Sequence, residues 1–212
     1  MRSRLGLAFV LACAAQLAQA QMLGQARESE NSFTLYGGFR GGGDLIEATT
    51  GDQLHADTKP SFALALDLAL EPRKQLQLFY SRQKTDLNSE FPAAPLKLPL
   101  RIEYLHLGGT VFFDEIGNGG YAAAGVGATR LTPDGDGLKP ETKPSANIAF
   151  GYMLPIVPGL ALRMEVRGYA TLIDSNGGLF CKSASGCAVA IKGNAFYQGE
   201  GLIGRASCRE RV

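Results

Sequence analysis

The chain has 212 residues, a formal net charge of +1, 27 glycines and no tryptophan. That length fits one domain able to bury or enclose a core. The near-neutral charge excludes bulk electrostatic attraction to nucleic acid or to a strongly anionic surface. Glycine and proline recurring at short intervals favour many short strands joined by turns over long helices.

At the N-terminus, Arg2 and Arg4 precede an apolar stretch from Leu5 to about Ala15, and Ala18-Gln19-Ala20 follows as a small-x-small site. This is the three-part pattern of a secretory signal peptide over residues 1–20, cleaved after Ala20. The apolar run is shorter than the ~20 residues a helical membrane anchor needs. Residues 21–31 read as a linker. Beyond it, the longest uncharged run, Ile148 to Leu162, contains Pro155 and Pro158-Gly159 and reads as two strands around a turn.

From Ser32 onward the dominant signal is alternation with period two, repeated about eight times. The first segment sets Phe33, Leu35 and Phe39 against Ser32, Thr34, Tyr36 and Arg40. In "SFALALDLAL", Phe62, Leu64, Leu66, Leu68 and Leu70 oppose Ser61, Ala63, Ala65, Asp67 and Ala69. Its Ala and Leu suit a helix by propensity, but a helix would scatter the leucines around its circumference, so a strand is expected. Leu76, Leu78 and Tyr80 then oppose Gln75, Gln77, Phe79 and Ser81, and Leu105, Leu107 and Val111 oppose Tyr104, His106 and Thr110. "GYAAAGVGATRL" is too rich in small residues to show its phase. Next, Ile148, Phe150 and Tyr152 oppose Ser145 and Asn147; Leu162, Met164 and Val166 oppose Arg163, Glu165 and Arg167. The last segment, "AVAIKGNAFYQGEG", sets Val189, Ile191 and Tyr197 against Lys192, Asn194, Gln198 and Glu200.

Short connectors (71–74, 114–119, 155–159) are interleaved with long polar ones (42–59, 85–99, 132–142, 175–186). Short turns at one end and long loops at the other describe an eight-stranded antiparallel up-and-down β-barrel over residues 32–202. The apolar faces are unbroken over the ~9–11 residues that cross a bilayer at a tilt, while the other face carries charges in series. A transmembrane barrel is therefore expected, with lipid outside and side chains filling the lumen. Buried charges must pair, so Asp67, Arg163, Glu165, Arg167, Lys192 and Glu200 are expected to form an interior network, with Gln77, His106, Asn194 and Gln198 beside them.

Cys181 and Cys187 flank the last long loop, and in an exported protein they are expected to form a disulfide. No histidine lies near enough to suggest a metal site there, and Asp134 and Asp136 lack the further acidic ligands of a calcium loop. Neither His55 nor His106 has an evident nucleophile to serve, so no enzymatic activity and no cofactor is expected.

Several stretches, "FTLYGGFRGGGDL", "LQLFYSRQKTDL", "IEYLHLGGTVFFD", "AAAGVGATRLTPDG", "RGYATLIDSNGGLFC" and "GCAVAIKGNAFYQGEG", together resemble the small OmpA/OmpX/OmpW-like outer-membrane barrels of Gram-negative bacteria. The resemblance implies periplasmic short turns and extracellular long loops. It also implies outer-membrane lipid, lipopolysaccharide and the barrel-assembly machinery as partners, acting on a monomer in the cell outer membrane. It implies no agreed biochemical activity. A structural or surface-interaction role is expected; the alternatives are an OmpW-like conduit for small hydrophobic molecules and a soluble periplasmic ligand-binding barrel. Barrels of this group end their last strand on an aromatic residue. Here residues 203–212, "IGRASCRERV", break the pattern, and one allowed codon choice for them reads as a widely used sequencing adapter. They are expected to be an artefact foreign to the barrel, which leaves its last strand truncated.

Overall fold

The computed structural model describes residues 31–47, 53–89, 97–134, 138–173, 178–182, 186–192 and 195–208. The expected leader, and the linker apart from Asn31, lie outside them. Among the described residues the strands are β1 (Ser32–Gly41), β2 (Asp44–Glu47), β3 (Gln53–Ala56), β4 (Lys59–Glu71), β5 (Lys74–Ser89), β6 (Lys97–Phe112), β7 (Gly119–Pro133), β8 (Glu141–Val157), β9 (Leu160–Leu172), β10 (Gly178–Lys182), β11 (Gly186–Lys192) and β12 (Ala195–Cys208).

Eight of them make the wall. β1 pairs antiparallel with both β4 and β12, and the neighbours run in chain order from β4 through β5, β6, β7, β8 and β9 to β12. The sheet thus closes on itself, and every wall strand has two partners. Tracing the register from Ser32 through Asp67, Gln77, Gly108, Gly125, Asn147 and Tyr169 leads to Gln198, beside Gly42 and not Ser32. Eight strands with that ten-residue stagger tilt by about 40° and close at a backbone radius of ~8 Å. Side chains fill such a lumen.

The alternation assigns the two faces. Phe33, Leu35, Leu66, Leu78, Leu107, Phe150 and Val166 point outward and are exposed, whereas Tyr36, Asp67, Gln77, His106, Arg163, Glu165 and Arg167 are buried inside. Leucine and alanine in β4 follow the face they must occupy, and tertiary demand overrides their helical propensity. In the glycine- and alanine-rich β7, Tyr121, Ala123, Thr129 and Leu131 face the lumen and Val126 the outside. Proline and glycine shape the β8–β9 turn: Gly159, after Pro158, takes φ 76°, the pairing a type II turn requires.

Three expectations are corrected. The wall strands extend into the anticipated loops, and the first and last loops carry strands of their own. β2 pairs with β3, β3 with the top of β5, and β11 with β2 (Ile191 opposite Glu47), so these two loops form one sheet above the rim. Second, Lys192 belongs to β11 in that sheet, opposite Ile46, and not to the last wall strand. The alternation keeps its phase across Gly193 and Asn194, so one strand and two look alike in the sequence; Asn194 itself lies outside the described residues. Third, the last strand does not stop at Leu202. β12 continues to Cys208 because β1 and β9 both offer open ladders there, Ser32 facing Cys208 and Leu160 facing Ser207. Small Gly204 and Ala206 turn inward, while Arg205 lies outward between Leu35 and Leu162.

Candidate functional site

The lumen holds the chemistry. Three inward positions of β9 carry Arg163, Glu165 and Arg167, two residues apart, so their side chains rise one above another. Arg163 donates from Nη1 to Asp67 Oδ2 at 2.6 Å and from Nε to the Tyr121 hydroxyl at 2.8 Å. That hydroxyl in turn donates to Glu165 Oε2 at 2.7 Å. The other Glu165 oxygen accepts from Arg167 Nε at 2.7 Å. Arg167 spends its remaining donors on Asn147 Oδ1 (2.5 Å) and Gln77 Oε1 (2.9 Å), and its guanidinium carbon lies 3.7 Å from the centre of the Phe79 ring. Gln77 closes the circuit by donating to Asp67 Oδ1 at 2.7 Å.

Backbone space makes this possible. Glu165 is registered opposite Gly151, and a Cβ at Gly151 would overlap the Tyr121 ring. Glycine there lets the phenol lie flat against β8 and place its hydroxyl between Arg163 and Glu165.

Nearer the long-loop end a second group surrounds Glu200. Its carboxylate accepts from Ser81 Oγ at 3.1 Å and from the Tyr169 hydroxyl, and lies 3.7 Å from Arg40 Nε. Arg40 is fully buried. Its guanidinium faces the stacked rings of Tyr104 and Tyr169, 4.9 and 5.5 Å from their centres, and makes no hydrogen bond among the described residues. Cation–π attraction, strongest where water is excluded, stands in for those bonds. Tyr104 donates to Gln198 Oε1 at 2.8 Å.

The buried charged residues among those described are Arg40, Arg163 and Arg167 against Asp67, Glu165 and Glu200. Cations and carboxylates balance, so the lumen carries no net charge that would draw an ion in. Apolar side chains bound the polar zone at both ends: Leu87, Leu100, Ile102, Leu131, Ile173 and Phe196 toward the long loops, Phe112, Met153 and Ala161 toward the short turns.

The structure thus brings together Asp67, Gln77, Arg163, Glu165 and Arg167 in one circuit, with Gln198 and Glu200 in the layer above. His106 shares no hydrogen bond with either group, but its ring lies 5.5 and 6.0 Å from those of Tyr104 and Tyr169, and its Nε2 is 2.8 Å from Ser145 Oγ. Sequence reading missed that serine, along with Arg40, Tyr121 and Ser81. Histidine beside serine invites a nucleophile–base reading. His106 Nδ1 has no hydrogen-bond partner among the described residues, so no third group holds its tautomer as in a nucleophile–base–orienter set, and His106 is only 1% exposed. Cys181 and Cys187 stand directly opposite on the β10–β11 ladder.

No family model matches the chain, and no curated protein does. Solved structures do. The chain is similar to Neisserial surface protein A at TM-score 0.57, with 12% identity, covering 86% of this chain and 99% of that one. It is also similar to the outer membrane protein OprG from Pseudomonas aeruginosa at TM-score 0.51, with 15% identity, covering 87% of this chain and 98% of that one. At these identities the likeness is one of fold, and the fold is that of the small eight-stranded outer-membrane β-barrels.

Proposed function

We propose that this protein is a non-enzymatic barrel of the outer membrane, closed to solutes, whose role is to display its long-loop end outward to partners. The observation that carries this reading is the neutral, charge-paired lumen bounded by apolar side chains. An open pore would need hydrated polar walls from end to end. A soluble ligand-binding barrel would need the opposite arrangement, an apolar pocket under a polar outer face, whereas here Leu66, Leu107 and Val166 are turned outward.

The test is electrical. Refolded protein in planar bilayers should give no stable current, and in cells the barrel should fractionate with the outer membrane with its leader removed after Ala20. Steady unitary conductance, or recovery in the soluble periplasm, would overturn the reading. A second reading, a conduit for small hydrophobic molecules, draws on the apolar ring of Leu87, Leu100, Ile102, Leu131 and Phe196 just inside the long-loop mouth. Uptake of such a molecule that survives substitution within this ring would count against it.

Cys181 and Cys187 complete the display. Directly opposed cysteines on neighbouring strands are within reach of a disulfide, and so small a closed loop gains about 2 kcal/mol in the chain-entropy view. Alkylation of the unreduced mature protein should leave both unmodified, and labelling before reduction would show the pair to be open.

A further inference from the structure

The outer face is not uniform at its long-loop end. Most wall strands finish there on uncharged outward residues: Phe39 on β1, Pro60 on β4, Pro144 on β8, Leu172 on β9 and Tyr197 on β12. The upper ends of β5, β6 and β7 form a panel of another kind. Lys84 is registered opposite Arg101, and Arg101 opposite Thr132. One step higher Thr85 faces Leu100, which faces Pro133. Above these, Asp86 faces Pro99, whose carbonyl accepts from the Asp134 amide at 2.9 Å. With Lys59, these residues line a shallow groove of about 370 Å³. The middle row is turned into the lumen: Thr85 donates to the Asp57 carbonyl at 2.7 Å, and Leu100 packs in the apolar ring. It therefore gives the groove a backbone floor, and the outward rows on either side supply its side chains.

Those two rows carry opposite charge. In the lower one, Lys84 and Arg101 are like charges directly across from each other, which destabilises a sheet unless an anion lies between them. Arg101 Nε is buried without a hydrogen-bond partner among the described residues. The upper row has Asp86 and Asp134, with the exposed Pro99 between them. Lys59 reaches Asp86 at 3.7 Å, so exposed Asp134 is the carboxylate open to an incoming cation. Beneath both rows, Glu103 accepts from the Tyr80 hydroxyl at 2.8 Å and lies 4.0 Å from Arg82 Nε. That row supplies its own counter-charge.

A polyanion laid along this panel would meet repulsion from the upper row, and a polycation from the lower. The groove selects a ligand carrying both signs. Its charged rows are two residues apart along the strands, about 6–7 Å, which is also the repeat of same-side side chains in an extended peptide. We infer that the outward panel of β5, β6 and β7 binds an extended peptide segment of a partner protein. An acidic residue of that segment sits between Lys84 and Arg101, and a basic residue two positions along sits on Asp134. This names the chemistry of the partner in the display role proposed above and rests on that reading.

The test is nuclear magnetic resonance of the isotope-labelled full chain, refolded in phosphatidylcholine nanodiscs and titrated with the capped peptide TETRT. Amides of residues 84–86, 99–101 and 132–134 should shift and saturate. Lys84→Ala/Arg101→Ala should weaken binding about tenfold, since two exposed charge contacts are lost. Arg73→Ala/Lys74→Ala at the short-turn end should match the parent. Asp134→Asn should bind TETRT and the doubly acidic TETET alike, whereas the parent prefers TETRT. Heat-dependent gel mobility verifies that each variant is folded. Equal shifts with TERTT, which has the same composition but sets its two charges on opposite sides, would overturn the inference. So would equal binding of TETET by the parent, which would make the panel a site for anions in general. Loss of the peptide shifts when phosphatidylglycerol enters the disc would assign the lower row to lipid headgroups and also overturn it. Conductance recorded on the same preparation reads the closed lumen separately, so an unresponsive panel on a non-conducting barrel overturns this inference alone.

Discussion

Replacing Glu165 with leucine should cost the barrel about 3–5 kcal/mol of unfolding free energy, the range for removing one partner of a buried ion pair. Glu165 joins both halves of the lower network. It accepts from Arg167 at 2.7 Å, takes the Tyr121 hydroxyl at 2.7 Å, and lies 3.8 Å from Arg163 Nη2. Arg163 keeps a carboxylate when Glu165 is lost, because Asp67 remains at 2.6 Å. Arg167 has no other carboxylate among the described residues, only the amide oxygens of Asn147 and Gln77. The cost should therefore fall chiefly on Arg167. Adding Arg167→Met to Glu165→Leu should recover much of the loss, because an apolar replacement of both partners leaves no stranded charge. Urea titration of the folded barrel in vesicles measures both variants together with Arg167→Met alone, and the cycle isolates the coupling. A single-variant loss below about 1 kcal/mol would mean water reaches these groups, as at an exposed pair, and the closed-lumen reading would go with it.

How much of this was legible in the sequence follows from what alternation encodes. Within one strand it separates two faces, so Leu64–Leu66–Leu68 and Arg163–Glu165–Arg167 declared their sides at once. It says nothing about height between strands. Which inward residues meet depends on the ten-residue stagger, and that emerges only on closure. Arg40 and Glu200 share a level because β1 and β12 pair in that register. Ser145 reaches His106 from a strand not adjacent to it, with β7 between them. Alternation also fails where side chains are too small to mark a face. The phase of β7 is set by pairing with β6 and β8, where Gly108, Gly125 and Asn147 lie in one row. Lys192 was misplaced for the converse reason: β11 and β12 keep the same phase, and only the ladder with β2 reveals a separate strand.

The assignment of faces has its own decisive experiment. Leu66→Arg should cost about 2–4 kcal/mol and Leu70→Arg about 0–1 kcal/mol, the span for arginine between the bilayer midplane and its edge. Leu66 sits at the centre of the outward row of β4, between Phe33 of β1 and Leu78 of β5, all three turned outward and exposed. Leu70 lies on the same face of the same strand, next to the β4–β5 turn, where a guanidinium can reach headgroups and water. Because propensity, strand and face are shared, the difference between the two variants isolates depth in the bilayer. A soluble barrel has no such gradient: both positions would already face water, and either arginine would change stability by about 0.5 kcal/mol or less, as surface substitutions do. The readout is the folded fraction on insertion into preformed vesicles, followed by heat-dependent gel mobility. Equal tolerance of the two arginines would remove the hydrocarbon from around β4. A penalty larger at Leu70 than at Leu66 would place the bilayer centre at the short-turn end.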